Sequence, residues 1–428
     1  MRVLLVTHRY PPDGIGGVER YVEALRAALV VSGDVVEVLT RTPRHFPRRP
    51  RLVRDQDVLR IVGSGVRLRE FLIGHDAVER AFSSVLEEVR PDIVHVNHLI
   101  GLSPRIVALA SQAGARVVLS LHDFYAECPL VHLVTTSGEL CAGPRGGEEC
   151  ASTCFRDEGA VASRWRVRYE YFAELLDAVD RVLAPSQALV STVSSMAPAA
   201  RIELLPLGVE RRGLAAAPDD AGPITFAHLG TLSRHKGVFR IVEALRLAQL
   251  TTVRLRVLGR IERPEERADL ERVASAVPGL ELVVTGEYRQ DELPALLDGV
   301  HAVIAASEVP EGFPLAPREA LVAGVPVVAV ALGGLAEVVE DEIDGLIVAP
   351  RDAAALGAAL ARIAREPDLL KRLRAGACAG QVPSFKDHTA AIRDIYAAVF
   401  NERERRGMDT FEALHRRALE VGFGRRWS

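Results

Sequence analysis

The chain has 428 residues, of which 48% are hydrophobic, and a formal net charge of −4 at pH 7. This length is too great for one ordinary core and predicts two or three domains. The near-neutral charge gives no argument for nucleic acid or a strongly anionic membrane as partner, so any anion site must be local.

Short apolar runs alternate with segments of helical period, which predicts two parallel, doubly wound sheets covered on both faces. The predicted strands of the first half are Arg2 to Val6, Val35 to Leu39, Asp92 to Val96, Arg116 to Leu121 and Arg181 to Ala184. Those of the second half are Ile224 to Leu229, Val253 to Leu258, Glu281 to Val284, Ala302 to Ala305, Val325 to Val330 and Leu346 to Val348. A stretch rich in Ala, Asp, Gly and Pro places the hinge between Pro206 and Pro223.

The apolar segments argue against a targeting signal or a membrane span. The N-terminal run, Met1 to Val6, is too short for a signal peptide. The longest apolar stretch, Ala320 to Ala336, is divided by glycines and a proline into a helix end, a strand and a turn. We therefore expect a cytoplasmic location without a transmembrane segment.

A glycine-rich loop, His8 to Arg20, follows the first predicted strand and opens a helix. Free N–H groups and the helix dipole at such a turn favour a bound anion near Gly16 and Gly17. A dinucleotide cofactor is the obvious alternative, but Glu19 stands where the third glycine of Gly-x-Gly-x-x-Gly would fall. A plain connecting turn is the other alternative.

The segment from Arg41 to Arg69 is rich in arginine and proline. We expect a solvated loop, with contact to an anionic acceptor or a peripheral membrane contact as the alternative. Its arginines include Arg44, Arg48, Arg49, Arg51 and Arg54. Asp55-Gln56-Asp57 fits the Asp-x-Asp pattern of metal–nucleotide sites, but we discount it because it lies in this loop.

His122 and Asp123 follow the strand predicted to end at Leu121, again at a carboxyl end. A histidine there can bind a donor sugar or an acceptor, and the alternative is a structural histidine with satisfied hydrogen bonds. Asp123 is the well-placed carboxylate beside it.

Four of the five cysteines fall within residues 128–154: Cys128, Cys141, Cys150 and Cys154. The cluster favours a structural zinc site of four thiolates, although it lacks a paired Cys-x2-Cys. Small buried thiols are one alternative, and disulfides, which a cytoplasmic location disfavours, are another. We expect no catalytic metal.

A basic turn opens the second half, from Gly230 to Gly237. Arg234 and Lys236 can meet a diphosphate as a bidentate fork and a point charge, respectively. The turn is not a P-loop, because no glycine precedes Lys236 and no Ser or Thr follows it. A solvated basic turn is the alternative.

The most informative stretch runs from Glu311 to Glu319 and reads Glu-Gly-Phe-Pro-Leu-Ala-Pro-Arg-Glu. It follows a predicted buried strand, at whose carboxyl end open α/β sheets bind ligands. Pro317 favours a helix start nearby, which puts Glu319 in the first turn. Carboxylates accept bonds from sugar hydroxyls while helix N–H groups take an anion, so the stretch suits a polyol bearing phosphate. A capped turn beside a solvated loop is the alternative.

Together these motifs resemble those of glycosyltransferase family 4, whose members are retaining enzymes with a two-domain GT-B fold. That family carries a Glu, seven residues and a second Glu, a spacing that Glu311 and Glu319 reproduce. The resemblance implies that the first Glu and the backbone after it hold the donor sugar and that the second holds the nucleotide ribose. The family often has Gly-Arg-Leu before Lys-Gly; here Thr231 replaces that arginine, and Arg234 is the candidate substitute.

The resemblance also implies that the paired glycines approach the donor diphosphate and that His122 lines the reaction centre. The catalytic candidates are His122, Glu311, Arg234 and Lys236. The donor-binding candidates are Gly16, Gly17, Gly230, Arg234, Lys236, Glu311, Gly312, Phe313, Pro314, Leu315 and Glu319. Retention in the family is explained by front-face attack, in which the donor phosphate takes the acceptor proton. No pair of opposed carboxylates is then required, in contrast to glycosidases.

We therefore expect a GT-B fold, with two Rossmann-like domains facing a central cleft. Residues 1–206 form the acceptor-binding domain with a cysteine-rich insertion at 128–154, and residues 207–385 bind the nucleotide sugar. Residues 386–428 are helices that return, at least in part, to the first domain. The predicted function is transfer of a hexosyl group from a nucleotide sugar, the co-substrate, to a small-molecule, glycan or lipid-linked acceptor. A nucleotide-sugar epimerase and a non-catalytic nucleotide-sugar-binding protein are the alternatives.

Overall fold

The computed structural model describes residues 1–14, 16–42, 51–62, 74–157, 163–219, 222–380, 382–402 and 409–420. The chain divides into two compact units. One comprises Met1–Pro206 together with Lys386–Ser428, and the other comprises Leu207–Phe385. Among the described residues, no helix is long and apolar enough to cross a membrane.

The first unit contains an eight-stranded sheet with the order β3-β4-β2-β1-β5-β6-β7-β8. Its strands are β1 (Arg2–Val6), β2 (Val35–Thr42), β3 (Arg51–Asp55), β4 (Val58–Val62), β5 (Ile93–Val96), β6 (Arg116–Ser120), β7 (Arg181–Ala184) and β8 (Ile202–Leu204). Neighbouring strands pair in parallel except β3 and β4, which are antiparallel. β5 and β6 bury every side chain, as expected of strands covered on both faces.

The helices of the first unit supply that cover. They are α1 (Gly17–Val31), α2 (Asp76–Val89), α3 (Ile106–Gln112), α4 (Ser163–Ala178) and α5 (Gln187–Met196), followed at the C-terminus by α12 (Phe385–Asn401) and α13 (Asp409–Glu420). On α1 the buried apolar residues Val22, Leu25 and Leu29 recur at helical spacing, so one face of the helix packs on the core.

The second unit contains a six-stranded, wholly parallel sheet with the order β11-β10-β9-β12-β13-β14. Its strands are β9 (Ile224–Leu229), β10 (Val253–Leu258), β11 (Leu280–Gly286), β12 (Ala302–Ala305), β13 (Val327–Val330) and β14 (Gly345–Val348). Its helices are α6 (Val238–Ala248), α7 (Pro264–Ser275), α8 (Leu293–Leu296), α9 (Leu315–Val322), α10 (Ala353–Arg365) and α11 (Pro367–Ala379). The predicted strands are confirmed, with shifts of a few residues at some ends.

The expectation of a solvated loop from Arg41 to Arg69 is wrong for residues 51–62, which form the β3–β4 hairpin. β3 is an edge strand with mostly exposed side chains, so it shows no apolar pattern in the sequence. Arg54 on β3 pairs with Glu37 on β2 and with Glu88 on α2 at 2.8 and 2.6 Å, so ion pairs rather than apolar contacts accompany this edge strand. Arg44, Arg48 and Arg49 lie outside the described residues.

Helix α12 packs against the first sheet through polar contacts between buried groups. The Tyr396 hydroxyl lies 2.6 Å from Nδ1 of His95, and Nε2 of the same imidazole lies 2.7 Å from Ser120 Oγ. His388, near the start of α12, lies 2.9 Å from the Tyr21 hydroxyl. These bonds fix α12 to β5, β6 and α1.

We predict that acidification below about pH 6.5 destabilises the fold through its buried histidines. Burial lowers the pKa of His95 to about 3 and the pKa values of His228 and His388 to about 4. The unfolded chain therefore binds more protons than the folded chain between pH 6.5 and 4, so stability falls as pH falls. Each such histidine costs about 2 kcal/mol at pH 5 relative to pH 7.

The midpoint of urea unfolding at pH 7 and at pH 5 measures this loss. His95→Gln provides the matched variant, because glutamine keeps a polar side chain but does not titrate. Its unfolding midpoint is expected to fall less between the two pH values than that of the parent. Equal midpoints of the parent at pH 7 and pH 5 would contradict the prediction.

Candidate functional site

An ion pair stands at the carboxyl edge of the second sheet. Lys236, on the loop after β9, donates to Glu311, on the loop after β12, with 2.7 Å between Nζ and Oε2. The two side chains are 30% and 19% exposed, so the pair is reachable from solvent. Parallel neighbours end at the same sheet edge, which is why residues 75 positions apart meet here.

Close backbone packing fixes the Glu311 loop. The amide of Gly334 donates to the Glu311 carbonyl at 2.7 Å. A Cβ at Gly334 would lie 2.4 Å from the Gly312 carbonyl oxygen, so no larger residue fits without a shift. The Gly333-Gly334 doublet therefore allows the segment after β13 to approach this loop.

The Lys236 turn is held against the other loop in a similar way. Arg234–Lys236 forms a single 3₁₀ turn that ends at Gly237, with φ at +78°. A Cβ at Gly237 would lie 1.8 Å from the carbonyl oxygen of Ala306. The Glu308 amide donates to the His235 carbonyl at 2.8 Å, so the two loops are joined by backbone as well as by the ion pair.

The ion pair keeps Glu311 charged despite its partial burial. Burial by itself would raise the pKa of Glu311, but the charge and hydrogen bond of Lys236 outweigh it and the pKa is lowered. His228 lies close to the pair, and burial lowers its pKa to about 4, so the imidazole is neutral at physiological pH. The site thus offers an ammonium, a carboxylate and a neutral imidazole.

Arg318 fixes the turn that follows Glu311. Its guanidinium is buried, lies 3.6 Å from the centre of the Phe313 ring and donates to the Pro314 carbonyl at 2.8 Å. Burial lowers the pKa of Arg318 to about 10. Through the ring contact and the hydrogen bond, the Arg318 side chain holds Phe313 and Pro314 in one conformation.

The predicted helix start near Pro317 is wrong, because α9 begins at Leu315 with Pro314 as its N-cap. Pro317 is the third residue of α9, where a missing N–H removes no intrahelical bond. Glu319 is consequently the fifth helical residue rather than a member of the first turn. It lines a small surface pocket of about 10 Å³ together with Arg212 and Gln290.

Arg234 and Gly230 lie on the same basic turn but differ in setting. The Arg234 guanidinium lies 3.0 Å from an oxygen of Asp269 and 4.2 Å from the centre of the Phe239 ring, with a side chain that is 62% exposed. Gly230 adopts φ of +132° directly after β9, a conformation that favours glycine. A role for either in ligand binding stays a prediction.

In the first unit, the glycine-rich loop leads into α1 with Gly16 as N-cap and Gly17 as first helical residue. The Gly16 amide donates to Glu19 Oε2 at 3.0 Å, and the other oxygen lies 3.5 Å from His8 Nε2. A carboxylate of the chain itself therefore occupies the end of the helix that attracts anions. The proposed diphosphate contact of the two glycines stays a prediction.

His122 lies directly beyond β6, as the sequence predicts. Its Nε2 lies 3.4 Å from Asn97 Oδ1, and its ring centre lies 5.0 Å from that of Tyr21. Burial, with His98 adding to it, lowers the pKa of His122 to about 3. The imidazole is therefore neutral and suited to hydrogen bonding rather than to carrying a positive charge.

The four clustered cysteines are free thiols near α4. Burial, followed by the nearby Cys128, raises the pKa of Cys150 to about 12, and burial also raises the pKa of Cys128 and Cys141. Across the described part of the chain, no group of three or more His, Cys, Asp or Glu side chains is placed to hold a metal ion. Zinc binding by these thiols stays a prediction.

Two doubly wound parallel sheets, with charged loops after the second-unit strands β9 and β12, match the architecture of GT-B glycosyltransferases, and comparison with known proteins supports this class. A family model described as Glycosyltransferase Family 4 matches residues 15–212, and one described as Glycosyl transferases group 1 matches residues 215–378. Glycogen synthase from Mycobacterium tuberculosis is 28% identical over 432 residues, covering 94% of this chain and 96% of that protein.

Solved structures agree on the fold. Sucrose-phosphate synthase from Thermosynechococcus elongatus superposes with a TM-score of 0.68 at 19% identity, covering 93% of this chain and 98% of that one. HepE from Anabaena in complex with UDP-glucose gives 0.64 at 16% identity, covering 92% and 99%. The chain belongs to glycosyltransferase family 4 and is a nucleotide-sugar-dependent glycosyltransferase. The family and the GT-B fold expected from the motifs are thereby confirmed.

The sequence identified the two ends of the ion pair but missed the residues that support it. Gly333 and Gly334 seemed only to interrupt an apolar run, although a glycine doublet after a strand is a signal of close backbone approach. His228 gave no signal, because a histidine inside a strand pattern is indistinguishable from a core residue.

If the cysteine cluster binds zinc, as the sequence predicts, protein purified without added metal carries about one zinc per chain. Elemental analysis measures it, and Cys150→Ser is expected to lower the zinc content, while Cys378→Ser, outside the cluster, retains it. Chelation is expected to loosen the segment after His122 without removing nucleotide binding. Metal-free protein with unchanged thermal stability and titratable thiols would contradict the prediction.

Proposed function

We propose that the chain is a retaining glycosyltransferase that moves a hexosyl group from a nucleotide sugar to an acceptor hydroxyl. The ion pair of Lys236 and Glu311 is the observation that carries this proposal. It places a cation suited to a diphosphate next to a carboxylate suited to sugar hydroxyls. The nucleotide-sugar complex of the structural neighbour HepE, which holds UDP-glucose, supports the donor class.

Each part of the donor finds a partner of matching chemistry in the second unit. Lys236 binds the diphosphate, Glu311 accepts hydrogen bonds from the sugar, and Glu319 accepts hydrogen bonds from the ribose. The nucleoside is placed along the surface beside Glu319. Arg318 contributes indirectly, since it fixes the backbone between the two glutamates.

The proposed transfer exchanges one bond to the anomeric carbon for another on the same face of the sugar. The bond to the diphosphate oxygen breaks as the acceptor oxygen attacks, and the acceptor proton passes to the departing phosphate. The Lys236 ammonium stabilises the negative charge that develops on the diphosphate. No covalent sugar–protein intermediate is formed.

A panel of UDP-glucose, ADP-glucose and GDP-mannose, with the matching diphosphates, identifies the donor by thermal shift. A ligand that binds only the folded chain raises its melting temperature according to its affinity and concentration. Release of diphosphate with formation of a glycoside distinguishes transfer from epimerisation, which needs no acceptor. If no nucleotide sugar binds, the proposal fails.

We predict different effects for the two charges assigned to the donor. Glu319→Ala weakens binding of the nucleoside diphosphate without sugar about tenfold or more, because a charged hydrogen bond to its ribose is lost. Lys236→Ala lowers kcat about 100-fold to 1000-fold, because leaving-group charge is no longer stabilised. Arg234→Ala measures the contribution of the second cation.

Calorimetric titration measures the first effect and steady-state kinetics the second. Glu281→Ala is the matched control, since Glu281 is an exposed carboxylate on β11 that pairs with Arg254 at 2.8 Å. Parent affinity for the diphosphate in Glu319→Ala, or a loss in kcat/KM below about tenfold in Lys236→Ala, would refute the respective role.

We also predict that the first product keeps the anomeric configuration of the donor. Proton NMR during the early reaction distinguishes the two anomers before any mutarotation. Mass spectrometry of the quenched enzyme is expected to show no attached sugar. Inversion of configuration would assign the chain a different mechanism, with a general base.

A further inference from the structure

A histidine–carboxylate pair lies in the first unit, at the carboxyl ends of β5 and β6. His98 Nε2 lies 2.9 Å from Asp123 Oδ2. The other ring nitrogen of His98 accepts a bond from the Ile100 amide at 3.0 Å, so Nε2 carries the proton and donates to the carboxylate. The Tyr125 amide donates to the second oxygen of Asp123 at 2.9 Å. Both oxygens of Asp123 are therefore oriented.

The carboxylate of Asp123 is charged and can accept further hydrogen bonds. Burial alone would raise the pKa of Asp123, but His98 and the Tyr125 amide more than offset it, so the pKa is lowered. An ionised carboxylate accepts about four hydrogen bonds, and the protein bonds described above use two. The side chain is 26% exposed, whereas that of His98 is 5% exposed. Asp123 can therefore accept a further bond from a ligand, while His98 supports it from behind.

A narrow cavity adjoins the pair. It offers about 30 Å³, which is room for one or two water-sized groups but not for a sugar ring. Its polar lining residues are Asn97, His98, Ser120, His122, Asp123 and Tyr125, and its apolar walls include Leu99, Leu121 and Phe172. The size and lining fit a single hydroxyl or hydroxymethyl group that projects from a larger molecule.

His8, on the loop after β1, contacts the pair. Its ring centre lies 4.4 Å from that of His98. Three loops, after β1, β5 and β6, thus converge on one small polar recess. The family's loop histidine, His122, shares the recess, and its neutral imidazole can also bond to a hydroxyl.

We propose that Asp123, oriented by His98, binds a hydroxyl group of a polyol acceptor in this recess. The proposal rests on the proposed glycosyl transfer and names the acceptor class and its anchor. Asp123 acts by binding and orientation, since in the retaining reaction the acceptor proton leaves with the phosphate. His98 is a positioning residue, because it acts through Asp123.

D-Glucose, maltose and myo-inositol serve as acceptor probes, each with the nucleotide sugar that the panel selects. Initial rates of diphosphate release are measured against probe concentration at about pH 8, where carboxyl groups are ionised. Parent enzyme is expected to show saturation with at least one probe. Asp123→Asn is expected to raise the probe KM about tenfold or more. Its affinity for the nucleoside diphosphate without sugar is expected to stay within about twofold of the parent.

Two further variants separate positioning from a general loss of structure. His98→Leu is expected to raise the probe KM as Asp123→Asn does, and His98→Gln, which keeps an N–H donor, is expected to restore part of the affinity. Glu127→Gln is the matched control, because Glu127 lies on the same loop and burial raises its pKa to about 7, below the assay pH. It is expected to keep the parent KM for the probe. Melting temperatures are recorded for all four variants.

The outcomes separate this inference from the proposed function. If no nucleotide sugar binds the parent, the proposed function fails. If the parent binds a nucleotide sugar but shows saturation with none of the three probes, the polyol assignment alone is overturned. An unchanged probe KM in Asp123→Asn, an equal rise in Glu127→Gln, or no difference between His98→Gln and His98→Leu overturns the roles given to the pair.

Discussion

Parallel pairing of the strands is the constraint on which both candidate sites depend. It directs the loops after β1, β5 and β6 to one edge of the first sheet, and those after β9 and β12 to one edge of the second. Residues far apart in sequence then meet without any loop having to be long. Loops with functional side chains are gathered at the carboxyl edge, because each crossover returns the chain to the opposite edge before the next parallel strand.

This constraint explains why so much of the fold was accessible from the sequence. Strands buried on both faces have to be continuously apolar, and β1, β7, β9, β10 and β12 were placed at their observed ends. The strands that escaped, β3, β4 and β8, lie at or next to the edges of the first sheet. There, backbone pairing costs little and needs no apolar pattern, so Arg51 and Arg54 can occupy a strand.

The residues of the two sites also differ in how far the sequence revealed them. Lys236, Glu311 and His122 were visible because they lie in loops that follow apolar runs, at the sheet edge where open α/β folds bind ligands. His98 was overlooked although it too follows a strand, because its partner Asp123 lies 25 residues away and only the fold brings them together. The start of α9 was misplaced by two residues, since a proline is equally tolerated throughout the first helical turn.

If the donor binds as proposed, the pairing of Lys236 with Glu311 makes its binding an exchange of partners rather than a simple addition. An incoming diphosphate has to compete with a carboxylate that already neutralises the ammonium, and the displaced carboxylate has to find hydroxyl groups in its place. A nucleoside diphosphate without a sugar satisfies only the first demand. The ion pair can thus act as a selective contact, because full binding then depends on both the diphosphate and the sugar of one donor molecule.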